Sequence, residues 1–395
     1  MGATGIVIVG GGLAAVRVCE QLRKSGDDRP ITLVAAEDYP PYDRPPLSKE
    51  FLVDRAKTLA DVALKPAEFY TEHRITVRSG SAARSLDTSA QTLTLEDGST
   101  LGYDELIVAT GLTPKRIGSW PDLTGIHVLR SLADATALRD HAATATRAVI
   151  VGAGFIGCEV AASLRALGVE VVLVEPQPTP LAGVLGEEVG RLVARLHRDA
   201  GVDVRTGTGV SEVRGERAVR EVLLSDGEVV AADLVVLGIG SRPATAWLAG
   251  SGVDLDPGDG GVLCDAAGRT SAGHVWALGD VAAWTDAHGH RVRVEHWSNV
   301  ADQARVLVAA LLHQDAPAVV TVPYFWSDQY DVKIQCLGEP HPTDTVHVVE
   351  DDGRKFLANY EREGALAAVV GGGMPGKVMK TRAKIIAGTP IGEVL

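Results

Sequence analysis

The sequence predicts an α/β fold: two strand–turn–helix units built on parallel strands, then a smaller α+β segment whose strands run antiparallel. Three observations predict it. The run Ile6-Val7-Ile8-Val9 breaks into Gly10-Gly11-Gly12 and resumes as an apolar helix from Leu13-Ala14-Ala15. The same grammar recurs at Val149-Ile150-Val151, Gly152-Ala153-Gly154 and Phe155-Ile156-Gly157. From about Val319 the chain changes character, and Tyr324-Phe325-Trp326-Ser327-Asp328-Gln329-Tyr330 gathers aromatics in a sequence where they make up only 5%. Short β-branched runs bounded by glycine read as buried parallel strands. Their recurrence at long range is a domain duplication, not a short solenoid repeat.

The glycines carry the chemistry of the two turns. They permit a tight bend and let backbone N–H groups approach a pyrophosphate, whose charge a helix N-terminus favours. The first copy reads GxGxxA through Gly10, Gly12 and Ala15; the second reads GxGxxG through Gly152, Gly154 and Gly157. An acidic residue follows each: Glu37 after the strand 31–35, and Glu175 after the strand 170–174. A carboxylate about 20 residues past the glycines suits the adenosine ribose hydroxyls. One such motif is weak, and a glycine turn that holds no nucleotide is its plain alternative. Two in register predict two dinucleotide-binding, Rossmann-like domains.

Bulk properties bound the rest. A length of 395 residues allows two or three domains, and 46% hydrophobic with 23% charged residues is ordinary for a globular chain. The net charge of −13 argues against general affinity for nucleic acid or anionic membrane. No apolar run approaches the length of a membrane span, and no basic leader precedes the first strand, so the expectation is a cytoplasmic protein. Cys19, Cys158, Cys264 and Cys336 form neither a CxxC pair nor a metal-ligand cluster. No metal is expected, and Cys19 and Cys158 read as small buried hydrophobes in the two apolar helices.

After the first unit comes Tyr39-Pro40-Pro41-Tyr42-Asp43-Arg44-Pro45-Pro46-Leu47-Ser48-Lys49, a loop that prolines keep out of helix and strand. With GGGLAA, the acidic residue, GAGFIGCE and the later WALGD, this loop resembles the FAD-dependent pyridine-nucleotide reductases. More narrowly, the sequence is similar to the ferredoxin and rubredoxin reductases that serve bacterial oxygenases, of the putidaredoxin reductase type. The likeness runs nearly end to end, and YDRPPLSK is its most specific part. It implies a glutathione reductase-like arrangement: residues 1–111 and 240–318 as two parts of an FAD-binding domain, 112–239 as an NAD-binding domain, and 319–395 as a C-terminal interface domain.

The remaining elements are read in order. Residues 75–81 and 92–95 suggest strands, and Asp97-Gly98 is a hairpin signal. Glu105 to Gly111 reads as a buried strand ending in Ala109-Thr110-Gly111, where the resemblance has the backbone passing the flavin. It also assigns Ala82, Arg44, Pro46 and Arg130 to the cofactor. Leu234-Val235-Val236-Leu237 leads into Gly238-Ile239-Gly240, the return to the first domain. Gly279 and Asp280, ending WALGD, supply the second half of the FAD signature, with the carboxylate suited to the ribityl hydroxyls. Glu295-His296-Trp297 precedes an amphipathic helix running to Leu312 and is implied to pack near the flavin ring. Strand-like pieces at 346–349 and 355–360 suggest a C-terminal antiparallel sheet. Trp326 is implied to border flavin and nicotinamide, with an aromatic core cluster as the plain alternative.

FAD and NAD together imply hydride transfer, chemistry that the cofactors supply. The resemblance assigns Lys49 and Glu159 as an ion pair, the lysine beside the reactive ring nitrogen and the glutamate toward the nicotinamide, so that Lys49 stabilises charge on the reduced ring. A first-turn helix carboxylate is the plain reading of Glu159. Glu175 favours NADH over NADPH because it repels a 2′-phosphate; Gly183 stands where the family often has arginine. Without a cysteine pair or single cysteine by the flavin, the expected acceptor is a small acidic iron–sulfur ferredoxin feeding a monooxygenase or dioxygenase. Its landing patch would draw on Arg291, Arg293, Lys377, Lys380, Arg382 and Lys384. Two alternatives stay open: an NADH oxidase or small-acceptor reductase without a protein partner, and a redox-sensing protein resembling apoptosis-inducing factor. The expected assembly is a monomer or homodimer.

Overall fold

The structure, a computed structural model, describes residues 5–286, 289–315 and 322–395. The domain boundary expected between 318 and 319 lies outside the described residues. The chain forms two compact units: Met1–Arg44, Leu59–Thr113 and Ser241–Thr321 make the first, and Pro45–Thr58, Pro114–Gly240 and Val322–Leu395 the second.

In the first unit, five parallel strands lie in the order Val275–Ala277, Glu105–Val108, Ile6–Val9, Ile31–Val34 and Ile75–Arg78. All four residues of Ile6–Val9 are buried, as expected of a central strand covered on both faces. Helix Leu13–Lys24 turns Ala15, Val18, Cys19 and Leu22 onto this sheet, and helix Asn299–Leu311 packs Ala304, Leu307 and Val308 into the same core. The opposite face packs Leu93, Leu95, Val262 and Val281. The hairpin signal is realised: Thr92–Leu95 pairs with Thr100–Gly102, and Gly98 takes φ +82 in the turn. A strand at Ala83–Asp87 joins them. The strand read over 75–81 stops at Arg78, because the chain turns at Gly80 with φ +64. The run read as a strand through Gly111 ends at Val108.

The second unit repeats the plan. Its parallel sheet runs Asp203–Thr206, Glu170–Glu175, Arg147–Val151, Leu234–Leu237 and Ile126–Val128. Helix Phe155–Ala166 follows the second glycine turn and buries eight of its twelve residues, so it is a core helix on nearly every face. The edge strand Ile126–Val128 precedes the point near Arg147 where the sequence starts this fold. Three residues, one of them His127, are too short to show an alternating pattern. The C-terminal part is an antiparallel sheet in the order Tyr324–Gln329, Val332–Gly338, Ala365–Gly372, Phe356–Arg362 and Thr345–Asp351. Short helices Pro375–Lys380 and Arg382–Ile386 follow it. No helix among the described residues is long and apolar enough to cross a membrane.

Candidate cofactor and active site

Both glycine turns have the form that a phosphate needs. Gly10 has φ +141, and a Cβ there would lie 2.1 Å from the Ala109 carbonyl oxygen; Gly152 has φ +97, with the Gly238 carbonyl oxygen 2.4 Å from a Cβ. A side chain cannot be accommodated at either position. The third glycine of the second motif is tighter still, its Cβ position 1.9 Å from the Gly152 carbonyl oxygen, which holds helix and strand together. Gly12 and Gly154 differ: nothing lies within 4 Å of where a Cβ would stand. Each is the N-cap of its helix, with no side-chain cap and no acidic residue in the first turn. The space beside Gly12 and Gly154 is open, and neither first turn, Leu13-Ala14-Ala15 or Phe155-Ile156-Gly157, carries a carboxylate that would compete with a phosphate for the helix N-terminus.

In the first unit, Glu37 follows the strand Ile31–Val34 and accepts from Tyr42 Oη and, at 2.9 Å, from Arg44. Burial opposes the charge on Arg44, but Tyr42 and Glu37 override it and hold its pKa above the ordinary value. The Arg44 guanidinium also lies 5.2 Å from the centroid of the Tyr42 ring. The neighbouring strand ends supply Ala109, Thr110 and Gly111; Thr110 Oγ1 donates to the Ala244 carbonyl at 2.9 Å. Gly279 has φ +75 and donates its N–H to Gln303 Oε1 at 2.8 Å, while the Asp280 carbonyl accepts from Arg293. Glu295 pairs with Arg293, and Trp297, 39% exposed, donates Nε1 to Asp43 Oδ1 at 3.0 Å beneath the Arg17 cation. His296 is half-buried, and the Ala82 carbonyl accepts from the Glu96 N–H. These residues fit a flavin dinucleotide: an open glycine cradle, a carboxylate past the second strand, and a second glycine–aspartate turn.

The second unit holds the nicotinamide candidates. Glu175 Oε2 accepts from the Ala153 N–H at 2.6 Å and Oε1 from the Gln177 N–H at 3.0 Å. A carboxylate offers about four lone-pair sites, so both oxygens can still accept from ribose hydroxyls. Gly238, Ile239 and Gly240 end the strand beside the turn, with the Gly238 N–H on the Val151 carbonyl. Ile156 is 41% exposed, and Phe155 meets Phe325 edge-on with centroids 5.1 Å apart. Arg130 and Pro46, assigned to the cofactor from the sequence, belong to this unit and not to the one holding Arg44. The Arg130 N–H is bound to Asp134, the N3 residue of the capping box of helix Leu132–Ala142. Trp326 stacks on Tyr324 at 6.1 Å, with the Lys333 ammonium 5.6 Å over its ring.

Lys49 and Glu159 meet, although 110 positions separate them. Lys49 Nζ lies 2.8 Å from Glu159 Oε2 and donates also to the Pro45 carbonyl at 3.0 Å. The lysine side chain is 15% exposed and the glutamate side chain 5%. Glu159 has further donors in Ser48 Oγ at 2.5 Å and Ser327 Oγ at 2.8 Å. Ser163 Oγ, one helical turn on, donates to the Ser48 carbonyl at 2.6 Å and ties the lysine loop to the helix. A buried charge pair persists only with such additional hydrogen bonds. Sequence reasoning missed Ser48, Ser163 and Ser327. The available signal was the alternation in Tyr324–Gln329, where Phe325, Ser327 and Gln329 share the buried face.

The thiols take no part in this site. All four cysteines are buried and unbridged. Burial pushes Cys19 and Cys264 up to about 12 and raises Cys158 and Cys336 as well, which leaves them inert. One expected landing residue is also spoken for: Arg293, with a side chain 16% exposed, pairs with both Asp259 and Glu295. Lys377 pairs with Glu350.

Known proteins resemble this chain along nearly its whole length. Residues 4–304 match the model of the pyridine nucleotide-disulphide oxidoreductase family, and 324–394 match that of the reductase C-terminal domain. A ferredoxin–NAD(P)+ reductase of Sphingomonas sp. is 36% identical over 370 residues, covering 92% of this chain and 88% of its own. The ferredoxin–NAD(+) reductase component of the anthranilate 1,2-dioxygenase system of Burkholderia cepacia is 38% identical over 341 residues, 86% of this chain and 82% of its own. Among solved structures, the covalent putidaredoxin reductase–putidaredoxin complex superposes with a TM-score of 0.92 at 31% identity, covering 98% of this chain and 94% of that one. Two open glycine cradles, the paired carboxylates past them and these matches lead to one conclusion: the chain belongs to the pyridine nucleotide-disulphide oxidoreductase family, flavoenzymes that use a nicotinamide cofactor.

Proposed function

We propose that this protein is an NADH-dependent ferredoxin reductase, delivering electrons to an iron–sulfur ferredoxin that serves an oxygenase. FAD, when bound, accepts hydride as an electron pair and can release the electrons singly. The observation that carries the reading is the buried Lys49–Glu159 pair, together with four inert thiols. The lysine presents a fixed positive charge, and two of its N–H groups are committed to Glu159 and to the Pro45 carbonyl. A charge already in place costs no reorganisation when negative charge develops in the reaction. The inert thiols weigh against a disulfide substrate. The named activities of the relatives, with ferredoxins as acceptors, support the choice of partner.

Preference for NADH rests on Glu175. A carboxylate repels a 2′-phosphate, and Arg205, across from Val174 on the neighbouring strand, is held by Asp203 and Glu228. The test is steady-state reduction of a purified ferredoxin and of ferricyanide with each nucleotide. A kcat/KM for NADH exceeding that for NADPH, with ferredoxin-dependent cytochrome reduction, supports the proposal. Rapid oxygen consumption unaffected by any ferredoxin would replace it with a small-acceptor reductase.

A further inference from the structure

The carboxylate of Glu159 is the end of a longer buried chain. Ser327 Oγ, which donates to Glu159 Oε1, itself accepts from Gln329 Nε2 at 3.2 Å. Gln329 Oε1 lies 3.1 Å from His197 Nε2, and His197 Nδ1 lies 2.8 Å from Tyr330 Oη. Ser327, Gln329 and His197 have no exposed surface. His197 comes from the long helix Ala182–Asp199, and the other three from the strand Tyr324–Gln329 and its turn. Burial drives the His197 pKa down, with the Gln329 contact opposing it, so the ring is neutral near pH 7.

A carboxylate only accepts, and a neutral ring has one donor and one acceptor; together these fix the direction of every bond. Tyr330 O–H donates to Nδ1, Nε2–H to Gln329 Oε1, the Gln329 amide to Ser327, and Ser327 O–H to the carboxylate. Each donor points toward Glu159. The reverse polarity is consistent only when the group at position 159 can itself donate. The turn supplies a second observation. Tyr330 has φ +59 in a two-residue hairpin connection, a position where glycine or asparagine is favoured and a bulky residue is an outlier. The backbone is held there with its hydroxyl on His197.

We propose that Ser327, Gln329 and His197 are positioning residues for Glu159, joined in a one-way hydrogen-bond relay that holds the carboxylate against Lys49. The relay makes the tautomer of His197 a reporter of the group at position 159, four hydrogen bonds from Tyr330. Its role in catalysis rests on the reading that the Lys49–Glu159 pair serves the hydride step.

The experiment uses 15N-histidine-labelled holoenzyme. Wild type should show His197 as the Nε2–H tautomer at pH 7. Glu159→Gln, whose amide can donate to Ser327, should give a new population of the Nδ1–H tautomer, and in a Ser327→Ala background the tautomer should no longer respond to the change from Glu to Gln at position 159. An unchanged tautomer in Glu159→Gln overturns the relay, as does a response that survives Ser327→Ala. In stopped flow, Gln329→Leu should slow flavin reduction by NADH about tenfold or more while NADH affinity is unchanged, as expected when a reacting group loses its orientation. His197→Gln, which keeps an N–H donor, should retain most of the rate that His197→Phe loses. Full rates in Gln329→Leu and His197→Phe, beside a slowed Lys49→Met, would overturn the positioning role. A Lys49→Met enzyme with the wild-type rate would instead overturn the underlying reading, leaving the tautomer result to stand by itself.

Discussion

Lys49 offers the sharpest test at the scale of one residue. Removing its ammonium takes away a preorganised charge, which by analogy with a lost oxyanion donor slows the step by about 10²–10³-fold. It also leaves Glu159 buried with two serine donors but no counter-charge, and breaking a buried pair this way costs about 3–5 kcal/mol. Lys49→Met should therefore bleach the flavin slowly with NADH and melt earlier, with FAD still bound; stopped-flow absorbance and thermal melts separate the two effects. Only part of this residue-level picture was legible in the sequence. Resemblance singled out the lysine and the glutamate, since nothing in a spacing of 110 positions announces a contact. Ser327 and Gln329 stayed hidden because polar residues at alternate strand positions ordinarily mark the solvent face. Here they point inward while Trp326 is partly exposed, a reversal that only the neighbouring helix explains.

At the scale of the element, the two glycine turns separate architecture from ligand contact. Gly157 and Gly154 are three residues apart yet have opposite surroundings: backbone oxygen at 1.9 Å from a Cβ in one case, open space in the other. Gly157→Ala should cost about 1–3 kcal/mol through overpacking of helix against strand, read as a lower melting temperature. Gly154→Ala should leave the melting temperature unchanged, since a Cβ there meets open space, and, on the proposed NADH site, raise the KM for NADH by narrowing the cradle offered to the phosphates. The same contrast holds between Gly10 and Gly12 for retention of FAD. These turns were readable from sequence because each strand, glycine pattern and helix is local. The edge strand Ile126–Val128 was not, since its place is set by pairing with Leu234–Leu237 more than a hundred residues away.

Over the whole molecule, charge governs both stability and encounter. His127 and His197 have pKa values lowered to about 4, chiefly by burial. For His127 the neighbouring His141 and Arg116 add to the lowering and Asp134 opposes it. The unfolded chain therefore binds more protons between about pH 6.5 and 4, and stability is lost as pH falls through that window. Melting temperature should decline there, and His197→Gln should flatten part of the slope. Encounter with a partner follows a different distribution. The net charge of −13 would repel an acidic ferredoxin, so productive approach needs a local field of opposite sign. Arg293 and Lys377 are already paired. Lys380, Arg382 and Lys384 are exposed on the short terminal helices, next to Met379 and Ile386 at 45% and 55% exposure. Charged side chains around exposed apolar ones suit a transient interface, with the charges steering and the apolar groups making contact. Reversing the three charges to glutamate should lower kcat/KM for ferredoxin by about 10–10³-fold at low ionic strength, the range that steering supplies. Ferricyanide reduction by NADH should be unaffected. Raising the salt to about 0.15 M, where the screening length falls to about 8 Å, should reduce the wild-type rate and leave the variant nearly flat. A variant that keeps the wild-type salt dependence would move the docking field elsewhere on the surface, with exposed Arg291 the next cation to reverse.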